Sequence, residues 1–502
     1  MNHWIIAPVI LPALLAPLII LLMRNDLLLQ RVFSIAGTVA LTLISFALLW
    51  AATVNPPEVY FPGDWPAPFG IVLVLDRLSA LMVALTAVLG LAVVLYAIGT
   101  GWDARGRHFH ALFQFQLMGI CGAFLTGDAF NLFVFFEVLL IASYGLMVHG
   151  GGRERTRAGV QYIAFNLLGS SLLLISLASI YAITGTLNMA DLAVKVAALP
   201  EGDAALMRVA AVMLILVFAI KGALVPLQFW LPGTYANAPG PVAALFSVMT
   251  KIGAYAIIRI GTLVFPPDTP ATGTLIADLL LGSALITLIL GAVGVLGATT
   301  LARMVSYAGI ASMGTLFLAI AAFTPQATAA ALYYMIHSTL ATAAMFLVAD
   351  LVLSRRRDDS LRHSLPPIAQ SGLIAALFFA TAIAMAGMPP LSGFLGKLLV
   401  LDALRDQAAI VWSVILVTSL ITIIGFARGG SILFWKSHAS DEVIETAPEP
   451  DPLAFTMVIA LIGALGAMTV FAGPLMGWLE VAAAELHDPA AYIAANRLPG
   501  SE

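Results

Sequence analysis

The chain has 502 residues, of which 61% are hydrophobic and 10% are charged, with a net charge of −4. This composition excludes a soluble globular domain and a protein held by one membrane anchor, and the absence of long basic runs argues against nucleic-acid binding. The mean hydropathy of +1.01 indicates an all-α polytopic membrane protein, so the lipid bilayer is an expected partner.

The predicted elements are apolar spans of about 20 residues, the length that an α-helix needs to cross a bilayer. In chain order, the first eight lie at 4–23, 31–54, 78–98, 109–126, 131–148, 160–183, 207–230 and 242–265. Six more follow at 275–296, 301–323, 327–353, 374–401, 410–435 and 455–479. The sequence therefore predicts about fourteen transmembrane helices, the first of them retained rather than cleaved as a signal peptide.

Arginine and lysine are concentrated in the connections that follow odd-numbered spans. The positive-inside rule places these connections in the cytoplasm and both chain termini outside. The Pro-rich stretch 56–68 then becomes an external hairpin or loop, and the acidic segment 441–451 becomes an internal one. The single cysteine, Cys121, excludes an internal disulfide, and the scattered histidines predict neither a metal site nor a cofactor.

Two distant segments, 222–231 and 386–395, share a pattern of small residues, proline, leucine and an aromatic residue, and a fainter echo links 141–145 with 310–314. They predict two repeats of five helices, spans four to eight and nine to thirteen, which an odd number of spans would invert across the membrane. The predicted domains are N-terminal helices (1–107), a first repeat (108–265), a second repeat (266–437) and a last helix with its tail (438–502).

Prolines are predicted to break helices seven and twelve, because proline removes a backbone donor and clashes with the preceding turn. These prolines are Pro226, Pro389 and Pro390. For an isolated proline, a packing kink without function is the favoured alternative. Paired breaks, each with a lysine nearby, instead favour a polar cavity near the bilayer midplane.

Five ionisable side chains lie within these apolar spans: Glu137, Lys221, Lys251, His337 and Lys397. Charge at that depth is costly and usually marks an ion pathway. Lys221 is the obvious partner for Glu137, with a static structural ion pair as the alternative. Lysines near an interface snorkel instead, and a lone histidine is equally explained as a packing residue.

Polar residues accompany two of these side chains. Ser247 and Thr250 precede Lys251, while Ser338 and Thr339 follow His337, and these hydroxyls favour hydrated stretches that give access to the pathway. Near the cytoplasmic end of the same span as His337, Asp350 is either another access residue or an ordinary interfacial acid.

The stretches 127–137, 221–232, 249–253 and 388–397 resemble the antiporter-like subunits shared by respiratory complex I and the Mrp-type multisubunit cation/proton antiporters. Within that superfamily the chain is most similar to the D-subunit family. The resemblance implies fourteen helices with inverted repeats and a Glu137–Lys221 pair beside a hydrated axis. It also implies Lys251 as the central relay, His337 as a bridge and Lys397 as the terminal site. Some relatives carry a lysine one turn after the histidine, where this chain has Ala341.

The chain is therefore predicted to be the proton-translocating subunit of a monovalent cation (Na⁺ or K⁺)/proton antiporter in a bacterial inner membrane, and not an enzyme. Protons would pass from Lys221 through Lys251 and His337 to Lys397, and the expected partners are the A, B, C, E, F and G subunits of an Mrp-type complex. One alternative is a proton-pumping subunit of complex I or of a membrane hydrogenase. Another is a non-conducting membrane scaffold.

Overall fold

The computed structural model describes residues 3–199, 204–356, 358–439 and 451–498. These residues are helical apart from loops and one two-stranded sheet, which confirms the all-α prediction. The predicted acidic segment lies outside the described residues, apart from Asp451.

The N-terminal half carries the first ten α-helices in order: α1 (Ala7–Leu22), α2 (Leu27–Val54), α3 (Arg77–Gly99), α4 (Phe109–Leu125), α5 (Ala129–Met147), α6 (Arg153–Thr184), α7 (Met189–Ala197), α8 (Ala204–Lys221), α9 (Trp230–Tyr235) and α10 (Gly240–Leu263). Between α2 and α3, strands β1 (Glu58–Tyr60) and β2 (Leu73–Leu75) pair antiparallel, with Val59 opposite Val74. The Pro-rich stretch lies in this connection and contains β1.

The C-terminal half carries the other nine: α11 (Leu275–Gly297), α12 (Leu301–Ala321), α13 (Pro325–Arg356), α14 (Ser371–Ala386), α15 (Ser392–Ala403), α16 (Ala408–Gly430), α17 (Pro452–Val470), α18 (Ala472–His487) and α19 (Ala490–Ala495). Within the described ranges, eleven helices are long and apolar enough to cross a membrane, and α4 and α14 are shorter apolar helices. The short helices α7 and α19 were not predicted from the sequence.

Several helices begin where a polar side chain replaces the hydrogen bonds that the first turn lacks. A side-chain oxygen at the N-cap accepts a backbone N–H of that turn, which stabilises a helix by about 1 kcal/mol. These caps are Asp26 (α2), Asp76 (α3), Asp128 (α5), Asn188 (α7) and Thr300 (α12). They define the start of each helix at a polar residue immediately before an apolar run.

The core of the molecule lies around α10 and α13. Both helices, together with α12, are buried along almost their whole length, whereas only 33% of the residues in the most apolar stretches of α1, α2, α16 and α17 are buried. Within the core, α8 packs against α10, α10 against α13, and α13 against α15. This order places four of the five predicted ionisable residues on helices that touch in succession.

Three predicted spans are interrupted. The span 207–230 is two helices, because α8 ends at Lys221 and α9 begins only at Trp230, with Pro226 in the gap. The span 374–401 is likewise divided between α14 and α15, with Pro389 and Pro390 in the gap. Both breaks occur where the prolines predicted them, since proline cannot donate to the preceding turn.

The prediction of one continuous helix over 455–479 is wrong. The chain turns at Phe471 between α17 and α18, and the φ/ψ values there, −99° and 25°, leave the helical range. Pro474 has no N–H to donate to the carbonyl of Val470, so the helical hydrogen-bond ladder is interrupted at this point.

Candidate functional site

At the first break, the ammonium of Lys221 is bound by an amide rather than by a carboxylate. Its Nζ donates to Asn166 Oδ1 on α6 at 2.7 Å, and it lies 5.6 Å from the centre of the Phe136 ring. The Glu137 charge is close enough to act on Lys221, yet no ion pair within 4.0 Å joins them. The predicted contact between Glu137 and Lys221 is therefore absent from this structure.

Glu137 itself lies partly buried on α5, and its Oε1 atom has no hydrogen-bond partner within the described part of the chain. A buried carboxylate oxygen without a hydrogen-bond donor destabilises the folded protein. Such an oxygen usually accepts a hydrogen bond from water or from a side chain that can move toward it. The Lys221 side chain, which donates to Asn166, is a group of opposite charge close enough for its charge and that of Glu137 to interact.

Sequence reasoning missed Asn166. The signal was present, because an amide at the buried face of a long apolar helix needs a polar partner. One turn later, Gly169 has no side chain, and a Cβ there would lie 4.0 Å from Lys221 Cε. Asn166 and Gly169 together form the surface of α6 along which the lysine extends.

The central lysine, Lys251, is only 1% exposed on α10. Two residues after Lys251, the backbones of α10 and α8 cross closely at Gly253. A Cβ at Gly253 would lie 2.4 Å from the carbonyl oxygen of Phe218 on α8, so this crossing, which requires glycine, fixes the position of Lys251. Among the described residues its ammonium has no hydrogen-bond acceptor. A buried ammonium without a protein acceptor normally donates its hydrogen bonds to ordered water.

His337 lies at the second break. On α13 it is 1% exposed, and its Nδ1 is 2.9 Å from the hydroxyl of Ser392, the first residue of α15. A Cβ at Gly393 would lie 2.9 Å from His337 Nε2 and 2.0 Å from the carbonyl oxygen of Ala384. The start of α15 can approach the imidazole this closely only because residue 393 is glycine.

Lys397 joins the two halves of the broken helix. Its Nζ donates to the carbonyl of Ala386, the last residue of α14, and to Ser419 Oγ on α16, both at 2.8 Å. The carbonyl end of a helix carries a partial negative charge that favours a cation. Its side chain is partly buried and turned into the break, so snorkelling to an interface does not describe it.

The predicted access hydroxyls are bonded to backbone carbonyls. Ser247 Oγ donates to the carbonyl of Thr339 at 3.1 Å and so ties α10 to α13. Thr250 donates to Ser247 O at 3.2 Å, and the hydroxyls of Ser338 and Thr339 donate to Met335 O. These hydroxyls are buried beside Lys251 and His337, and Ser247 supplies a direct link between the two halves of the chain.

Asp350 is a buried carboxylate whose oxygens are occupied. It accepts from Tyr96 Oη at 2.9 Å and from Trp102 Nε1 at 3.0 Å. Gly240 allows α10 to begin directly against it, because a Cβ there would lie 2.3 Å from Asp350 Cβ. Asp350 thus joins α3, its following turn, α10 and α13 at one end of the core.

Taken together, the structure brings Lys251, His337 and Lys397 close enough for the charges of both lysines to act on the imidazole. Lys221 adjoins this group through the packing of α8 on α10, and Glu137 lies beyond Lys221. Buried ionisable groups in transmembrane helices, and breaks in those helices, are features that mark candidate ion sites in membrane proteins.

Comparison with known proteins agrees with this geometry. A family model described as "NADH:quinone oxidoreductase/Mrp antiporter, TM" matches residues 126–422. The D subunit of a probable K⁺/H⁺ antiporter of Rhizobium meliloti is 38% identical over 97% of this chain and 96% of its own length. The D subunit of the Na⁺/H⁺ antiporter of Bacillus subtilis is 37% identical over 99% of each chain.

The solved structures include a chain of the Mrp complex from a Dietzia species, with 28% identity, a TM-score of 0.89 and coverage of 99% of this chain and 100% of that one. A chain of respiratory complex I from Thermus thermophilus has 25% identity, a TM-score of 0.79 and coverage of 97% and 99%. The chain therefore belongs to the NADH:quinone oxidoreductase/Mrp antiporter family of membrane subunits, and its curated relatives within that family are antiporter D subunits.

Proposed function

We propose that this chain is the proton-translocating D subunit of a multisubunit monovalent cation/proton antiporter, working with the A, B, C, E, F and G subunits of an Mrp-type complex. The exchanged cation is Na⁺ or K⁺, as in the two curated relatives. The observation that carries the proposal is the succession of Lys221, Lys251, His337 and Lys397 on helices that pack against one another.

The proton path begins at Lys221. In the structure this lysine donates to Asn166, while Glu137 Oε1 lacks a donor among the described residues. We assign this geometry to the open arrangement of the Glu137–Lys221 pair. Closing the pair would hold the proton on Lys221, and opening it would release the proton toward Lys251. A change of one pKa unit corresponds to about 1.4 kcal/mol, so a small displacement of the lysine suffices as a gate.

The second half of the path runs from Lys251 to Lys397 through His337. Ala341 offers no ionisable group one turn beyond the histidine, so transfer uses the contact between His337 and Ser392 and water at the α14–α15 break. Lys397, bound to the end of α14, is the terminal site.

The fold is proposed to contain fourteen membrane spans, with the pairs α8–α9 and α14–α15 each counted as one. The two five-helix repeats, 108–265 and 266–437, are inverted relative to each other, flanked by 1–107 and 438–502. In a bacterial inner membrane both termini then lie outside the cytoplasm. The matching breaks and the lysine near each break support this arrangement.

The test is exchange by the assembled complex in everted vesicles. Glu137→Gln and Lys251→Ala are expected to lower cation-dependent proton exchange by at least about tenfold each, because each removes a relay group whose loss raises the barrier by about 1.4 kcal/mol or more. Lys195→Ala removes a partly exposed lysine that pairs with Asp191 on α7, and it should exchange like the native complex. If both relay variants assemble and exchange at the native rate, the chain is a scaffold and the proposal is wrong.

A second candidate function is a proton pump driven by redox chemistry. The observation that favours it is a TM-score of 0.88 to a chain of an archaeal membrane-bound sulfane sulfur reductase, at 25% identity. The composition of the purified complex separates the two functions. Quinone-binding or iron–sulfur subunits would indicate the pump, and small antiporter subunits would indicate the antiporter.

A further inference from the structure

A cavity of about 320 Å³ lies at the ends of α3 and α10 that face away from the Asp350 cluster, beside α18 and α19. Its lining includes the charged or polar residues Asp76, Arg77, Arg259, Glu485 and Tyr492. None of these residues belongs to the relay described above. Under the proposed orientation the cavity opens on the extracytoplasmic side.

A buried ion pair lines this cavity. Arg259 binds Asp76 with two nitrogens, Nη1 at 2.5 Å and Nη2 at 2.8 Å, and the two residues are 3% and 8% exposed. The guanidinium lies between two rings, 5.6 Å from the centre of Tyr255 and 5.1 Å from that of Tyr492. Such a two-point contact holds the guanidinium in a single orientation.

Several buried polar atoms at the cavity lack a hydrogen-bond partner within the described ranges. They include Arg77 Nε, Arg259 Nε and the hydroxyl of Tyr492, a residue that is 6% exposed. Buried donors of this kind are normally satisfied by ordered water. The cavity of about 320 Å³ has room for several water molecules at about 30 Å³ each, so the end of α10 has space for ordered water.

The same helix connects this cavity to the centre of the relay. Lys251, Tyr255 and Arg259 follow one another at four-residue intervals on α10, and all are at most 3% exposed. Residues so spaced lie on one helix face, and eight residues rise about 12 Å. Tyr255 is held between the two charges, and its hydroxyl donates to the carbonyl of Phe124 at 2.6 Å.

The mouth of the cavity carries a second ion pair. Arg77 Nη1 lies 2.8 Å from Glu485 Oε1, and the Glu485 side chain is 38% exposed. The cavity is thus lined by a buried ion pair, Arg259–Asp76, and by a second pair, Arg77–Glu485, that is in contact with solvent. Carboxylates and water in such a series can accept a proton in turn.

We propose that this cavity is an extracytoplasmic water outlet that branches from the proton path at Lys251, before His337 and Lys397. Protons reach it from Lys251 along the Tyr255–Arg259 face of α10, and the Arg259–Asp76 pair is its gate. Opening of the pair frees Asp76 to take a proton from the hydrated α10 face, and Glu485 passes it to bulk water. The inference rests on the proposed function, because it needs Lys251 to carry protons.

The outlet is tested by labelling Thr262, which lines the cavity one turn beyond Arg259. Thr262→Cys is introduced into the assembled complex, and a membrane-impermeant cationic thiol reagent is added from the extracytoplasmic side. The chain's own cysteine, Cys121, is fully buried, and the native complex gives the labelling background. Val264→Cys is the matched control, because Val264 is 2% exposed near the same helix end and does not line the cavity.

We expect Thr262→Cys to react from outside and Val264→Cys to remain unlabelled. Labelling should slow exchange by about tenfold or more relative to the same variant before labelling, since a fixed cation blocks the outlet. An unreactive Thr262→Cys, or a fully labelled one whose exchange is unchanged, would overturn the outlet. If Thr262→Cys does not assemble, Ala484→Cys on the exposed rim of the cavity carries the same test.

The failure of the outlet and the failure of the proposed function give different results. If Lys251→Ala loses exchange while the labelled Thr262→Cys retains it, protons leave elsewhere and only the outlet is wrong. If Lys251→Ala retains full exchange, the proton relay itself is wrong, and the outlet falls with it.

Discussion

At the scale of single residues, Asn166 controls where the Lys221 ammonium rests. We expect Asn166→Leu to lower proton exchange by about tenfold or more. The buried Lys221 ammonium would lose its hydrogen bond to Asn166 Oδ1, now 2.7 Å long, and with it the contact that positions it in the proposed relay. Exchange by the assembled complex in everted vesicles measures this. Gln161→Leu is the control on the same helix, since that side chain is exposed, and equal rates for the two variants would contradict the role of Asn166.

A second residue-scale prediction concerns pH. Burial raises the pKa of Asp128, the N-cap of α5, to about 6, although backbone hydrogen bonds from Asn131 and Phe130 oppose the shift. Between about pH 4 and 6 the folded state therefore holds a proton that the unfolded state has released, so stability falls as pH rises through this window. Above about pH 6 the stability contributed by the protonated carboxyl group of Asp128 has been lost completely.

The change that tests this is Asp128→Asn, which keeps an equally good cap but cannot ionise. The variant should match the native complex near pH 4 and exceed its stability above about pH 6.5 by up to about 3 kcal/mol, the equivalent of a two-unit shift. Thermal unfolding in detergent at both pH values measures the difference. A variant that is less stable than the native complex at neutral pH would show that the ionised carboxylate is favourable.

At the scale of elements, the crossing of α8 and α10 depends on glycine. Gly253→Ala places a Cβ 2.4 Å from the backbone oxygen of Phe218, which cannot move as a side-chain tip would. We expect it to lower stability by about 1–3 kcal/mol, the usual cost of overpacking. Gly282→Ala, in the helix α11 with open space around it, should instead raise stability by up to about 1 kcal/mol. Melting temperatures of the two variants that move in the same direction would contradict this expectation.

Sequence reasoning located most helices because long apolar runs are local signals. It also located the breaks near Pro226 and Pro390, since proline acts on its own helix. It could not give the contacts of those breaks. The acceptor of Lys221 lies 55 residues away at Asn166, and His337 meets Ser392 over the same separation. Such partners depend on how helices pack, which periodicity does not encode.

The Arg259–Asp76 pair shows the same limit more strongly. Its members are 183 residues apart, and Arg259 lies so near a span end that no local signal separates it from ordinary interfacial arginines. The Glu137–Lys221 pair shows a related limit. Complementary charge suggests the pair, but only the structure shows that the Lys221 ammonium donates to Asn166 in this arrangement.

At the scale of the whole molecule, the proposed orientation predicts opposite accessibility for two connections. Lys195→Cys on α7 should react with an impermeant thiol reagent in right-side-out vesicles, and Arg303→Cys on α12 only in everted ones, because the positive-inside rule places the Arg-rich connections in the cytoplasm. Both side chains are at least partly exposed. The reverse labelling pattern would show that the molecule has the opposite orientation in the membrane, with the proposed outlet on the cytoplasmic side.

Lys397 links three helix segments in the second half of the molecule. Its ammonium binds the final carbonyl of α14 while its own backbone belongs to α15, and it also reaches Ser419 on α16. The attraction to a helix carbonyl end belongs to the charged form alone. In the proposed relay, loss of this proton would therefore remove an electrostatic anchor that α14, α15 and α16 share, and each transfer at Lys397 would change how firmly these three segments are held together.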